Sequence, residues 1–383
     1  MLQLEFINKK EIVASDQSTK DILGKSFFGV EKNNRLYLFP EEVMYLVDIR
    51  NAECRYKGKL LQFDEISEMF RKKKKLMASY FTYRDWRERG LVAKPFGTHY
   101  KKQDLTPVKK YPSSSLELPK WDINGVFFPD DLITIVREQE KGKELYEKFW
   151  IGQYGSYKAP EKGKMSKLDI YETTFMMEHK RLLLENYSMQ DVVNYAKKRR
   201  KEFPMLYEVY KDWRENGFII KTGFKFGTHF RVYFPGAKPI KDENWVHSKH
   251  VLHVFPKGSK LLISEWARAI RVAHSVRKTF ILAIPGEMKE KEENLNYVLY
   301  HRHGGEADNP DTDSPKYAML SLGEEETIGG AELAMAISKA KEMKLELIIA
   351  IADRETAITY YKIKQIVLPR SGHEYYEIDW MQP

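Results

Sequence analysis

"YKDWRENGFIIKTGFKFGTHF", residues 210–230, occurs twice in the chain: its shorter form is "YRDWRERGLVAKPFGTHY", residues 83–100. Trp86 pairs with Trp213 and Gly90 with Gly217 at one offset. Gly97, Thr98 and His99 pair with Gly227, Thr228 and His229 once three extra residues within "KTGFKFG" are allowed for. The match runs upstream, where "KSFFG" (25–29) resembles "KFWIG" (148–152) and "EEVMYLV" (41–47) resembles "YETTFMM" (171–177). The second copy gains a short insertion within "QYGSYKAPEKGKMSK" (153–167). Repetition of this kind marks a duplicated structural unit.

A second repeat lies downstream. "AIRVAHSVRKTFILAI" (269–284) aligns with "AISKAKEMKLELIIAI" (336–351), so Arg271 maps to Ser338, His274 to Lys341 and Lys278 to Leu345. The apolar pattern is kept while the polar face is exchanged. Three units follow: an amino-terminal copy at 1–110, a full unit at 120–302, and a carboxy-terminal unit at 305–383 that matches only the last part of the full one. "KKQDLTPVKKYPSSSLELPKW" (101–121) and "HGGEADNPDTDSPK" (303–316) read as linkers, because Pro, Gly and Ser clusters interrupt regular structure.

The 383 residues exceed one ordinary domain, and 42% of them are hydrophobic, enough for more than one core. Cys54 is the only cysteine, so no disulfide framework forms within the chain, which fits a reducing cytoplasm. No signal peptide is recognised and no apolar run approaches the roughly 18 residues of a membrane span. A net charge of +9 and a pI near 9.1 favour a polyanionic partner such as nucleic acid.

Apolar spacing predicts a helix across 188–216, hairpin strands in "FIIKTGFKFGTHFRVYF", a strand over 247–255, a helix over 261–278 and a buried strand in "TFILAI". Strand, strand, helix, strand predicts an α/β core with a mixed sheet. On the second helix Arg271 and Lys278 fall two turns apart on one face and flank His274. Such a face is ordinarily a solvated one. Leucine at the position matching Lys278 in the degenerate copy singles that lysine out. His247, His250 and His253 are a weak metal signal, since a strand sends 247 and 250 to opposite faces and no cysteine or carboxylate pair stands nearby. Tyr233, taken alone, reads as a packing aromatic at a strand end. The phosphate-loop and dinucleotide fingerprints are both missing from the sequence.

"KTGFKFGTHFRVY", "HSKHVL" and "RVAHSVRKTFILAI" together resemble the signature of archaeal transfer-RNA splicing endonucleases. The likeness is strong over about 170–302 and degenerate over 25–100 and 317–369. It implies an α/β protein with a restriction-endonuclease-like catalytic core at 231–302 behind an amino-terminal subdomain at 120–230. It also implies metal-independent cleavage of precursor tRNA at bulge-helix-bulge junctions, leaving 2′,3′-cyclic phosphate and 5′-hydroxyl ends, with no cofactor. The family's Tyr-His-Lys triad falls on Tyr233, His247 and Lys278. The insert "FPGAKPIKDENW" lengthens the spacing before His247 and leaves His250 as the alternative acid. Arg271 matches the family's base-clamping arginine, and Arg302 is a weaker candidate for its partner. Lys158, Lys162 and Lys164 in the insertion are candidate phosphate contacts. Asp353 and Glu355, in "IADRETAITYY" (351–361), match an acidic docking loop of a homodimer. One competing reading is a non-catalytic RNA-binding or assembly subunit of the same fold. Another is a metal-dependent nuclease, for which the segment 247–284 offers only Glu265 as a carboxylate.

Overall fold

The computed structural model describes residues 1–98, 100, 107–157, 159–239, 247–287, 295–303 and 305–383. The duplicated segments form two small mixed α/β layers. In the first, six strands order as 30–32, 35–38, 12–14, 3–6, 53–56 and 59–61; in the second, five order as 153–154, 166–168, 133–136, 123–128 and 182–184. Both repeats finish with the same helix, Leu76–Glu88 and Phe203–Glu215, whose "DWR" residues explain why the sequence recurs. Trp86 and Trp213 are fully buried. Arg214, also buried, donates to the carbonyls of Phe218 and Phe149, both at 3.0 Å. Arg87 repeats the second bond with the carbonyl of Ser26 at 2.8 Å and lies 4.1 Å from the Phe28 ring. Two of the donors of the buried Arg214 guanidinium are thus satisfied, while its Nε is left without a partner.

The helix expected across 188–216 is two helices, Met189–Arg199 and Phe203–Glu215. Pro204 sits in the first turn of the second, where its missing N–H costs nothing, and so the chain restarts there.

The organising feature is one continuous sheet. Its strands run in the order 219–222, 230–233, 250–254, 279–283, 375–381, 358–367, 346–352, 317–323, 297–299 and 93–95, with 109–110 beside 358–367. A pseudo-two-fold axis passes between 358–367 and 375–381. Val232 pairs with His250 in one half as Leu299 pairs with Tyr317 in the other. The parallel pairs 250–254 with 279–283 and 317–323 with 346–352 correspond, each joined through a helix, Ile263–Ser275 or Gly330–Glu342. Trp266, Ile270, Ala336 and Ile337 bury these two helices in a shared core.

Two features differ from the sequence-based division. The strand Tyr297–Leu299, expected at the end of the full unit, pairs with Tyr317–Gly323 and with Ala93–Pro95 from the amino-terminal copy. The supposed linker 101–121 contributes Lys109–Lys110 as a strand beside Ile366 and Val367, and buries Tyr111 in the core of the full unit. Residues 101–106 of it lie outside the described residues.

Candidate active site

Three segments deliver the candidate residues to one place. The hairpin 219–222/230–233 ends at Tyr233, which pairs with Ile219. The strand expected over 247–255 begins only at His250, so His247 stands in the segment leading into it. The helix expected over 261–278 closes at Ser275. Arg277 adopts a left-handed φ of 56°, and the N–H of Lys278 returns to the carbonyl of Ala273 at 2.9 Å. This is the helix-ending bond pattern of a Schellman motif. Lys278 therefore sits at the turn between helix and strand, and the shared helical face with Arg271 does not form.

Tyr233, His247 and Lys278 line a single cleft of about 1170 Å³ between the second small layer and the half of the large sheet that holds strands 219–222, 230–233, 250–254 and 279–283. Its wall is built by a knot that both copies repeat. Glu172 accepts from the N–H of Gly152 at 2.8 Å and from Lys221 at 2.7 Å, while Lys221 also donates to the carbonyl of Gly152 at 2.9 Å. In the first copy Glu42 meets the N–H of Gly29 at 3.0 Å and Lys94 its carbonyl at 3.1 Å. Gly152 holds φ at 77°, and a Cβ there would come within 2.8 Å of the Lys167 carbonyl, so the repeated glycine is a steric requirement.

The surroundings of the three groups are specific. The Trp150 ring lies 4.6 Å from that of Tyr233, and the Arg231 guanidinium 5.8 Å over the phenol ring. Burial raises the Tyr233 pKa, while Arg231 and a hydrogen bond with Ser248 oppose the rise. Lys278 donates to the Ser248 hydroxyl at 2.8 Å and also to its carbonyl, and lies 5.1 Å from the Phe226 ring. Burial and then Arg231 lower the pKa of this ammonium.

The other histidines are placed apart. His250 is buried between the rings of Tyr111, at 5.4 Å, and Phe234, at 5.2 Å. His253 lies 4.7 Å from His229, whose Nδ1 accepts the N–H of Val254 at 3.0 Å. Among the described residues no three His, Cys, Asp or Glu side chains gather as a metal site. Burial above all lowers His229 to about 3 and His250 and His253 to about 4. The folded protein thus binds fewer protons than the unfolded chain between about pH 6.5 and about pH 4, so stability falls as pH drops through that window. The slope is at most roughly 1.4 kcal/mol per pH unit for each histidine. Melting temperatures measured from pH 7 to pH 4 should fall, and the His250→Phe variant should show a shallower decline.

Other candidates lie outside the cleft lining. Arg271 is exposed on its helix and hydrogen-bonds Tyr361. Arg302 is on the short strand Arg302–His303, which pairs with Glu306–Ala307 as a separate two-stranded sheet, and donates to the carbonyl of Arg89 at 2.6 Å. Lys162 and Lys164 are exposed on the insertion, whose Tyr157, Pro160 and Glu161 line the cleft; Lys158 lies outside the described residues. Asp353 and Glu355 occupy the turn between Glu346–Ala352 and Ile358–Val367, where Asp353 accepts the N–H groups of Glu355 and Ala357 at 2.9 Å each.

Sequence reasoning missed Trp150, Arg231 and Ser248 around the triad. It also missed that "YVLY" (297–300) is the counterpart of "FRVY" (230–233). The matched strand pairing places Tyr300 at the position of Tyr233, Ser314 at that of His247, Pro315 at that of Ser248 and Leu345 at that of Lys278. The signal was the spacing from that tyrosine to the following helix, obscured because 297–300 was counted with the unit before it. The second half thus retains the phenol and loses the rest.

Residues 203–297 match the model for the tRNA intron endonuclease catalytic C-terminal domain, and residues 3–67 match that for the tRNA intron endonuclease N-terminal domain. The chain is similar to a tRNA-splicing endonuclease of Methanopyrus kandleri, 32% identical over 165 residues, covering 42% of this chain and 88% of that protein. A tRNA-splicing endonuclease of Pyrococcus furiosus is 36% identical over 130 residues, covering 33% and 72%. That of Methanococcoides burtonii aligns over 345 residues at 26% identity, covering 73% and 94%. No helix among the described residues is long and apolar enough to cross a membrane. Two domain models and relatives that the chain covers over most of their length lead to one assignment: the chain belongs to the tRNA intron endonuclease family.

Proposed function

We propose that this endonuclease cleaves precursor tRNA at bulge-helix-bulge junctions without metal, using Tyr233, His247 and Lys278. The observation that carries the reading is the common cleft of these three side chains, contributed by distant parts of the chain. Tyr233 takes the proton from the ribose 2′-hydroxyl, whose oxygen attacks the adjacent phosphorus. His247 gives a proton to the departing 5′ oxygen, the acid's part in general acid–base catalysis. Lys278 holds the negative charge that builds on the phosphorane. The products are a 2′,3′-cyclic phosphate and a 5′-hydroxyl.

Splayed bulge bases are recognised by stacking and by charge. Arg271 offers an exposed guanidinium plane, with Arg302 as its candidate partner. Lys158, Lys162 and Lys164 supply further phosphate contacts from the insertion that flanks the cleft. Each chain has one complete triad, and an intron has two ends, so a homodimer of the three-unit chain provides both cuts. Asp353 and Glu355 are the acidic tip that docks one protomer on its partner. The working division is an amino-terminal copy, a catalytic unit and a carboxy-terminal structural unit. A bulge-helix-bulge RNA incubated with the enzyme in EDTA should be cut at both junctions, and its ends should be a cyclic phosphate and a free 5′-hydroxyl. Loss of cleavage on chelation, restored by a divalent ion, rejects the mechanism.

A further inference from the structure

We infer that Ser248 is a positioning residue that carries the positive charge of Lys278 to the Tyr233 phenol through one buried hydroxyl. The inference rests on the assignment of Tyr233 as the base.

Three observations meet at this residue. Ser248 is 5% exposed, so its hydroxyl must find partners within the protein. Lys278 donates to that hydroxyl at 2.8 Å and also to the Ser248 carbonyl. Ser248, Tyr233 and Lys278 line the same cleft, and the hydroxyl acts on the phenol in favour of its ionised form. An ammonium has donors only, whereas a serine hydroxyl has one donor and two acceptor lone pairs. The pattern that satisfies all three groups when the tyrosine is ionised therefore runs in one direction. The lysine N–H donates to Oγ, and the Oγ–H donates to the phenolate oxygen. The first donation polarises the hydroxyl, and the second favours the ionised form of the phenol that receives it.

This addresses a difficulty in the site. A buried tyrosine resists ionisation, yet a base must lose its proton before it can accept one. The Arg231 guanidinium acts on the ring from one side. Ser248 supplies the other influence directly at the oxygen. When the 2′-hydroxyl proton moves to the phenolate, the P–O5′ bond breaks and His247 protonates the leaving oxygen; Ser248 keeps its own proton throughout. The degenerate half fits: Pro315, which has no hydroxyl, stands at the position of Ser248, and the lysine is leucine there too, while Tyr300 remains.

The test is single-turnover cleavage of a bulge-helix-bulge RNA as a function of pH, with RNA affinity measured alongside. Ser248→Ala removes the hydroxyl but keeps the carbonyl that also anchors Lys278. It should slow cleavage roughly 10- to 100-fold at neutral pH, the usual worth of a hydrogen bond to a charged group. The limb of the pH–rate profile that reports the base should move to higher pH, with RNA affinity unchanged. Ser248→Thr should restore the rate to within a few-fold and return the limb. Wild-type rate and profile in Ser248→Ala overturn the relay. A slow Ser248→Ala with an unmoved limb, not rescued by threonine, also overturns it. Tyr233→Phe, run in parallel, separates the two readings: full activity in that variant removes the base assignment itself, whereas a dead Tyr233→Phe beside a normal Ser248→Ala rejects only the relay.

Discussion

Replacing Lys278 by leucine, the residue its counterpart Leu345 already is, should reduce cleavage roughly 100- to 1000-fold, or about 3–4 kcal/mol of transition-state stabilisation. The phosphorane carries more negative charge than the phosphodiester that precedes it. A cation fixed in the cleft therefore stabilises the transition state more than the bound substrate. Lys278 is held by two bonds to Ser248 rather than left to search for the substrate, so little reorganisation remains to be done at the moment of reaction. The fold should tolerate the change, since the other half of the sheet places leucine at this point and buries it. Melting temperature and RNA affinity should stay close to those of the unaltered protein while the rate falls. Equal cleavage rates in the two proteins take the lysine out of the chemistry.

Reversing both charges of the acidic turn, as Asp353→Lys with Glu355→Lys, should abolish assembly and with it cleavage at both junctions. The Asp353 carboxylate has an internal task, accepting two backbone N–H groups that shape the turn. Glu355 is exposed, and Arg354 between them is already paired with Glu324 and Glu325. Glu355→Lys alone separates docking from turn geometry, because its side chain has no part in the turn's hydrogen bonds. Sedimentation of the single and double variants reads assembly, and cleavage reads function. A double variant that remains a dimer and cuts both junctions removes this turn from the interface.

The parts of the fold that were legible in the sequence are those governed by local pattern. The "DWRENG" and "DWRERG" helices, the hairpin leading to Tyr233 and the helix–strand pair around Lys278 follow from spacing of apolar residues over one or two elements. Two helix boundaries were not legible for different reasons. Pro204 was a stop signal passed over, and the left-handed Arg277 is a non-glycine C-cap that leaves no compositional mark. Strand partners are a longer-range matter. Nothing within "NYVLYH" says that its neighbours come from residues 93–95 and 317–323, because register is set by faces that only meet after folding. The proposed triad comes from likeness of motif rather than from its physics. Tyr233 read alone is a packing aromatic, and its tasks depend on Trp150, Arg231, Ser248 and Lys278, which converge from four places in the chain.

The strand Tyr375–Met381 pairs with Phe280–Ala283, directly beside the turn that presents Lys278, and it follows that lysine by almost a hundred residues. A nascent chain that has emerged from the ribosome only as far as residue 370 already contains Tyr233, His247 and Lys278, yet the sheet under its lysine has a raw edge. Translation order thus delays completion of the cleft's floor until residues 375–381 have been made, long after the last of the three candidate side chains, Lys278.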